Sequence, residues 1–108
     1  MPIYNKLVRD RIPEIIEANG KSFTTRILDE NEYHSELRKK MHEELKEYDA
    51  TDSNEDALEE LADLLELIHA ATAVHGSDFN QLEAIRQMKA KQRGGFDERI
   101  FLIEVEDD

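Results

Sequence analysis

A chain of 108 residues with 26 acids against 14 bases, net charge −12, has room for one domain and a modest core. Its acidity excludes nucleic acid and anionic membrane as non-specific partners, because phosphate recognition needs stripes of Lys and Arg, and the lack of Cys excludes disulfides, thiolate metal sites and Cys nucleophiles. No apolar run nears the ~20 residues of a spanning helix and no signal-peptide core is visible, so a soluble cytoplasmic protein is expected.

In chain order the pattern is mostly helical. Asp10 is placed to cap a short first helix whose first turn tolerates Pro13, with Ile12, Ile15 and Ile16 facing inward and Asn19-Gly20 closing it. Residues 22–28 (SFTTRIL) are β-prone. From Asp29 the pattern is helical, with Tyr33, Leu37, Met41, Leu45 and Tyr48 on one stripe. A loop over residues 50–56 leads to a capping box in which Ser53 is the cap. The third and longest helix runs to about Val74 and ends at His75-Gly76; Asp78 caps a fourth that Gly94-Gly95 stops after Arg93. Residues 99–105 (RIFLIEV) again read as a strand, able to pair with 22–28. The expected fold is an all-α helical bundle with a small two-stranded β ornament, one domain over 1–108.

The charge is uneven. Residues 1–27 balance at +2, residues 28–78 at −12 and residues 79–108 at −2. The acids of the middle stretch do not all lie where solvation would put them. At 100° per residue the apolar stripe of the second helix spans about 120°, and Glu44 falls inside it with Glu47 at its edge. On the third helix Leu58, Leu61, Leu64, Leu65 and Ile68 form one apolar face, and Leu67, Ala70, Ala71 and Val74 form a second flank. Carrying that flank toward the N-terminus reaches Asp56, Glu60 and Asp63, so acids continue an apolar stripe. An ionised carboxylate there is costly unless paired or bound to a cation.

The two helices are joined directly and so should be antiparallel neighbours. Glu44 and Glu47 precede the turn by about as much as Glu60 and Asp63 follow it. Each pair, at i,i+3, stacks its carboxylates on one side. Four converging carboxylates repel one another unless divalent cations neutralise them, and hard oxygen ligands suit Mg²⁺ or Mn²⁺. The blander reading of any single ExxE is a solvated helix face; two that face inward across one hairpin favour a metal site.

Glu44-x-x-Glu47, twelve residues, then Glu60-x-x-Asp63 resembles the ExxE…ExxD signature of the all-α nucleoside triphosphate pyrophosphohydrolases, the superfamily of MazG, the dimeric dUTPases and phosphoribosyl-ATP pyrophosphohydrolase. The run Tyr4-Asn5-Lys6-Leu7-Val8-Arg9-Asp10 with Ile12-Pro13-Glu14-Ile15-Ile16 is similar to the opening of a short MazG-like subfamily, labelled phosphoribosyl-ATP pyrophosphohydrolase-like. Arg93-Gly94-Gly95-Phe96 with Arg99-Ile100 is similar to its close. The resemblance implies a Mg²⁺-dependent enzyme that hydrolyses a nucleotide between its α- and β-phosphates to the monophosphate and pyrophosphate, with housecleaning of the nucleotide pool as its task. It implies Glu44, Glu47, Glu60 and Asp63 as metal ligands, with Glu47 the candidate for taking the proton from the attacking water. Asn5, Lys6 and Arg9 would line the nucleotide pocket by the same analogy, although Arg9 and Asp10 can equally pair with neighbours and fix the first helix.

Lys89 and Arg93 share a helical face before a Gly-Gly turn and are candidates for holding the β- and γ-phosphates, in their own or a neighbouring subunit. Tyr4, Tyr48 and Phe96 either stack on a base or belong to the core. Glu66-x-x-His69 has the ligand spacing of di-iron carboxylate bundles, but occurs once where two are expected. The non-enzymatic alternative is an acidic helical module that binds a basic protein partner. A homodimer or homotetramer is expected, because the long helix has two apolar sides and one chain of this size covers one of them; the Leu67 to Val74 flank is expected to meet the second subunit.

Overall fold

The computed structural model describes residues 2–107; the expected domain span also takes in Met1 and Asp108, which lie outside the described residues. Four helices follow one another: α1 Ile12–Ala18, α2 Glu30–Asp49, α3 Asn54–Val74 and α4 Phe79–Arg93. The fold is all-α, and no described helix is long and apolar enough to cross a membrane.

Local chemistry sets the helix ends. Asp29, Ser53 and Asp78 sit in extended backbone before α2, α3 and α4, and each side chain accepts a hydrogen bond from the N–H three residues on: Glu32 at 2.8 Å, Asp56 at 3.1 Å and Gln81 at 2.8 Å. Each cap satisfies one of the N–H groups a helix start leaves without a partner. Gly94 stops α4 at φ 82°, where a side chain would be strained, while its N–H bonds the carbonyl of Ala90 at 2.8 Å. The cap of α1 differs from expectation. The N–H of Ile12 already bonds the carbonyl of Arg9 in a turn, so the cap position falls one residue later, on Arg11, the helix starts at Ile12, and no side chain caps it.

α2 and α3 form the body of the molecule as an antiparallel hairpin. Their sense is plain from facing residues: Glu44 meets Glu60 near the connecting loop, Met41 and Thr72 share a cleft, and His34 touches His75 edge-on at 5.2 Å at the far end. α4 joins beside the end of α3, where Phe79 stacks on His69 at 4.0 Å and 11°. Between them opens a largely apolar cleft of about 250 Å³ lined by Met41, Ile68, Thr72, Leu82 and Ile85 among others. Leu37 is the one apolar side chain fully buried among the described residues, at 2% exposure.

Two expectations need correction. Residues 22–28 and 99–105 carry no regular secondary structure, Arg99 is left-handed at φ 59°, and no strand forms among the described residues. A strand is defined by its ladder, and among the described residues neither segment has one. The two apolar flanks of α3 also divide differently from the expectation. Leu67, Ala70 and Ala71 are half-buried and Val74 is exposed, while on the other flank Leu64 and Ile68 are half-buried and Leu58, Leu61 and Leu65 are exposed. The reason is geometric: Glu60, Leu64, Leu67 and Ala71 share one stripe at helical spacing. Once Glu60 faces Glu44, the rest of that stripe lies against α2 and the other face must look outward.

Candidate metal centre

The α2–α3 hairpin brings three of the four expected carboxylates together. One oxygen from each of Glu44, Glu47 and Glu60 lies within 4.8 Å of the others. Glu44 is buried at 7% exposure, Glu60 half-buried and Glu47 exposed. The gradient follows their places on the helices: Glu44 sits on the apolar stripe of α2 and Glu47 at its solvent edge.

Glu44 Oε2 and Glu60 Oε2 are both buried with no hydrogen-bond partner. Leaving buried oxygens unsatisfied costs roughly 1–3 kcal/mol each, more when charged. The nearest cation is Lys40, whose Nζ lies 3.9 Å from Glu44 Oε1 one turn back on α2. Lys40 is not among the residues expected at the site, although its i,i+4 spacing to Glu44 marks it as a partner. Burial above all, then the neighbouring carboxyls of Glu60 and Glu47 and the charges of Glu47 and Asp63, push the Glu44 carboxyl up to about 7. Glu44 therefore carries a proton for much of the time near neutrality.

The fourth acid is engaged differently. Asp63 Oδ1 accepts a hydrogen bond from Arg9 Nη2 at 2.6 Å, in an ion pair with both side chains about half exposed. Of the two readings of Arg9, pairing with a neighbour is the one seen in the chain. The pair brings the segment before α1 onto α3 next to the cluster.

The remaining candidates lie apart from the acids. Lys6 Nζ sits 5.7 Å above the ring of Tyr4, and Asn5 adopts φ 46°, a left-handed conformation that Asn tolerates better than most residues. Lys89 and Arg93 are exposed on the last turns of α4 and enter no ion pair among the described residues. Arg93 instead borders a concave stretch made by the following residues as far as Ile100. Tyr4 and Phe96 are exposed rather than core, and Tyr48 is only just so. His69 stacks on Phe79, and among the described residues Glu66 and His69 join no cluster of three or more ligating side chains.

The donor set fits a hard divalent cation. Oxygens around one octahedral Mg²⁺ at about 2.1 Å lie roughly 3–4 Å apart, inside the 4.8 Å that bounds those of the cluster. A cation would satisfy both orphaned oxygens and displace the proton on Glu44.

A curated relative, an uncharacterized protein of Mycolicibacterium smegmatis, is 46% identical over 54 residues, half of this chain and 55% of the relative. The chain thus spans about half the length of the curated relative it matches. No family model and no solved structure matches the chain.

Proposed function

We propose that this protein is a divalent-metal-dependent nucleotide pyrophosphohydrolase of the MazG-like type. The observation that carries the reading is the pair of buried, partnerless oxygens on Glu44 and Glu60, facing each other across the hairpin beside Glu47. The burial of Glu44 also favours it over an acidic module for a basic partner, because acids that recognise a protein must reach its surface. By this reading Glu44, Glu47 and Glu60 hold Mg²⁺, or Mn²⁺ in its place, with Asp63 as a fourth ligand once released by Arg9.

Bound there, the metal supplies a polarised phosphoryl oxygen and a more acidic water. The chain's own groups do the rest. Glu47, exposed at the rim, accepts the proton of the attacking water; Glu44, buried behind it, holds the metal. Arg9, freed from Asp63, joins Asn5 and Lys6 at the nucleotide, and Lys89 and Arg93, in the same or a neighbouring subunit, take the β- and γ-phosphates. The reading includes a cytoplasmic homodimer or homotetramer that clears non-standard nucleotides.

The test is release of pyrophosphate from a panel of NTPs and dNTPs with Mg²⁺ or EDTA, for the wild type and Glu44→Gln. The expected result is metal-dependent monophosphate and pyrophosphate, lost in the variant. Orthophosphate as product would overturn cleavage between α and β, and no turnover of any nucleotide would overturn the enzyme reading.

A further inference from the structure

Among the described residues, Lys40 is the one cation that forms an ion pair with an acid of the cluster; Arg9, Arg26 and Arg86 pair elsewhere. The Lys40 side chain is only 18% exposed, and an ammonium is seldom drawn that far from water without an anion to meet it. The anion is Glu44, which offers Oε1 to Lys40 while its Oε2 is buried and partnerless.

The pair is held by charge alone. At 3.9 Å the ammonium lies beyond the roughly 2.7–3.2 Å of a hydrogen bond. It offsets the charge of Glu44 without bonding to it. A lysine also has a flexible four-carbon stem that lets its head swing back to water while the stem stays packed. These are the properties of a cation that can be displaced. A divalent ion carries twice the charge and can meet oxygens of Glu44, Glu47 and Glu60 together. The two cations repel each other strongly at a separation of a few ångströms, where screening by salt is weak for partly buried groups.

We propose that Lys40 is the stand-in cation of the carboxylate cluster, which a divalent ion must displace, so that Lys40 sets how tightly the metal is held. Lys40 acts on the acids and is a positioning residue, not a catalytic one. The inference rests on the metal-centre reading and needs no assumption about the substrate.

The experiment is calorimetric titration of the full chain with Mg²⁺ alone. It is run at pH 8.5, above the value of about 7 that burial gives Glu44. Lys40→Met removes the charge and keeps the stem; Lys40→Arg keeps the charge. The Met variant should bind Mg²⁺ at least about tenfold more tightly than the wild type, and the Arg variant within about threefold of it. Urea unfolding gives a second readout. Without metal the Met variant should be the less stable protein, and saturating Mg²⁺ should close or reverse the difference, whereas a merely structural role lowers both alike. An unchanged or weaker Mg²⁺ affinity in the Met variant overturns the proposal, as does a stability loss that Mg²⁺ leaves in place. The wild type supplies a test that needs no variant: NOEs between the Lys40 Hε protons and the Glu44 side chain should vanish on saturation with Mg²⁺, and their persistence overturns the proposal. Absence of Mg²⁺ binding in every variant and the wild type overturns the metal centre as well, while binding that ignores Lys40 overturns this inference alone.

Discussion

Arg9 and Asp63, 54 positions apart, meet through a 2.6 Å hydrogen bond that pins the segment before α1 onto α3. The pair neutralises Asp63, the one of the four acids outside the cluster of Glu44, Glu47 and Glu60, while Lys40 Nζ lies 3.9 Å from Glu44. On the proposed function, Arg9 would change partner when a phosphate arrives.

Arg9→Met separates structural from functional roles. Both partners are about half exposed, so the loss in stability should stay below about 1 kcal/mol in urea melts. Mg²⁺ alone should bind the variant at least as tightly, because a competing cation has gone, while KM for the nucleotide rises several-fold. A weaker Mg²⁺ affinity would show instead that Arg9 organises the acids.

Glu44 makes stability depend on pH in an unusual direction for a carboxylate. Its folded value, about 7, lies above its ordinary 4.5, so between those values the native state holds more protons than the unfolded chain. The metal-free protein is therefore stabilised by this group at low pH and loses that stability as pH rises through 7, by about 3 kcal/mol in all. Glu44→Gln removes the titration. Relative to wild type the variant should gain stability between pH 5 and pH 8, as measured by urea unfolding; a constant difference would contradict the shift.

Metal binding must displace the same proton. The Mg²⁺ affinity of the wild type should rise about tenfold from pH 6 to pH 8, with proton release visible by calorimetry in buffers of different ionisation heat. Saturating Mg²⁺ at a hundredfold its dissociation constant should add about 2.7 kcal/mol to stability, and EDTA should remove the gain. Indifference to millimolar Mg²⁺ and Mn²⁺ would count against the metal centre itself.

The hairpin core can be tested apart from the site. Leu37→Ala, at the one fully buried apolar side chain among the described residues, should cost about 2–5 kcal/mol. Ser53→Ala, which removes the cap of α3, should cost about 1 kcal/mol. Urea denaturation of both variants in one buffer checks the ranking; equal losses would mean that Leu37 is less tightly packed than its burial indicates.

Helix boundaries were legible because their causes are local. Asp29, Ser53 and Asp78 each cap a helix within three residues of themselves, and Asn19-Gly20, His75-Gly76 and Gly94 end helices by backbone conformation. The inward place of Glu44 was legible for the same reason: its angle on the stripe of α2 depends only on helical periodicity. Periodicity could not say which flank of α3 packs on α2, because both are apolar and only the facing of Glu60 with Glu44 separates them. Nor could it choose Asp63 as the partner of Arg9, whose contact closes a loop across three helices. The strands failed on the same ground. Propensity marks 22–28 and 99–105 as extended, but a strand also needs a ladder, and among the described residues neither segment has one. Sequence fixes what neighbours along the chain decide; the contacts among distant residues, and so the charge balance at the acids, are settled only when the helices pack.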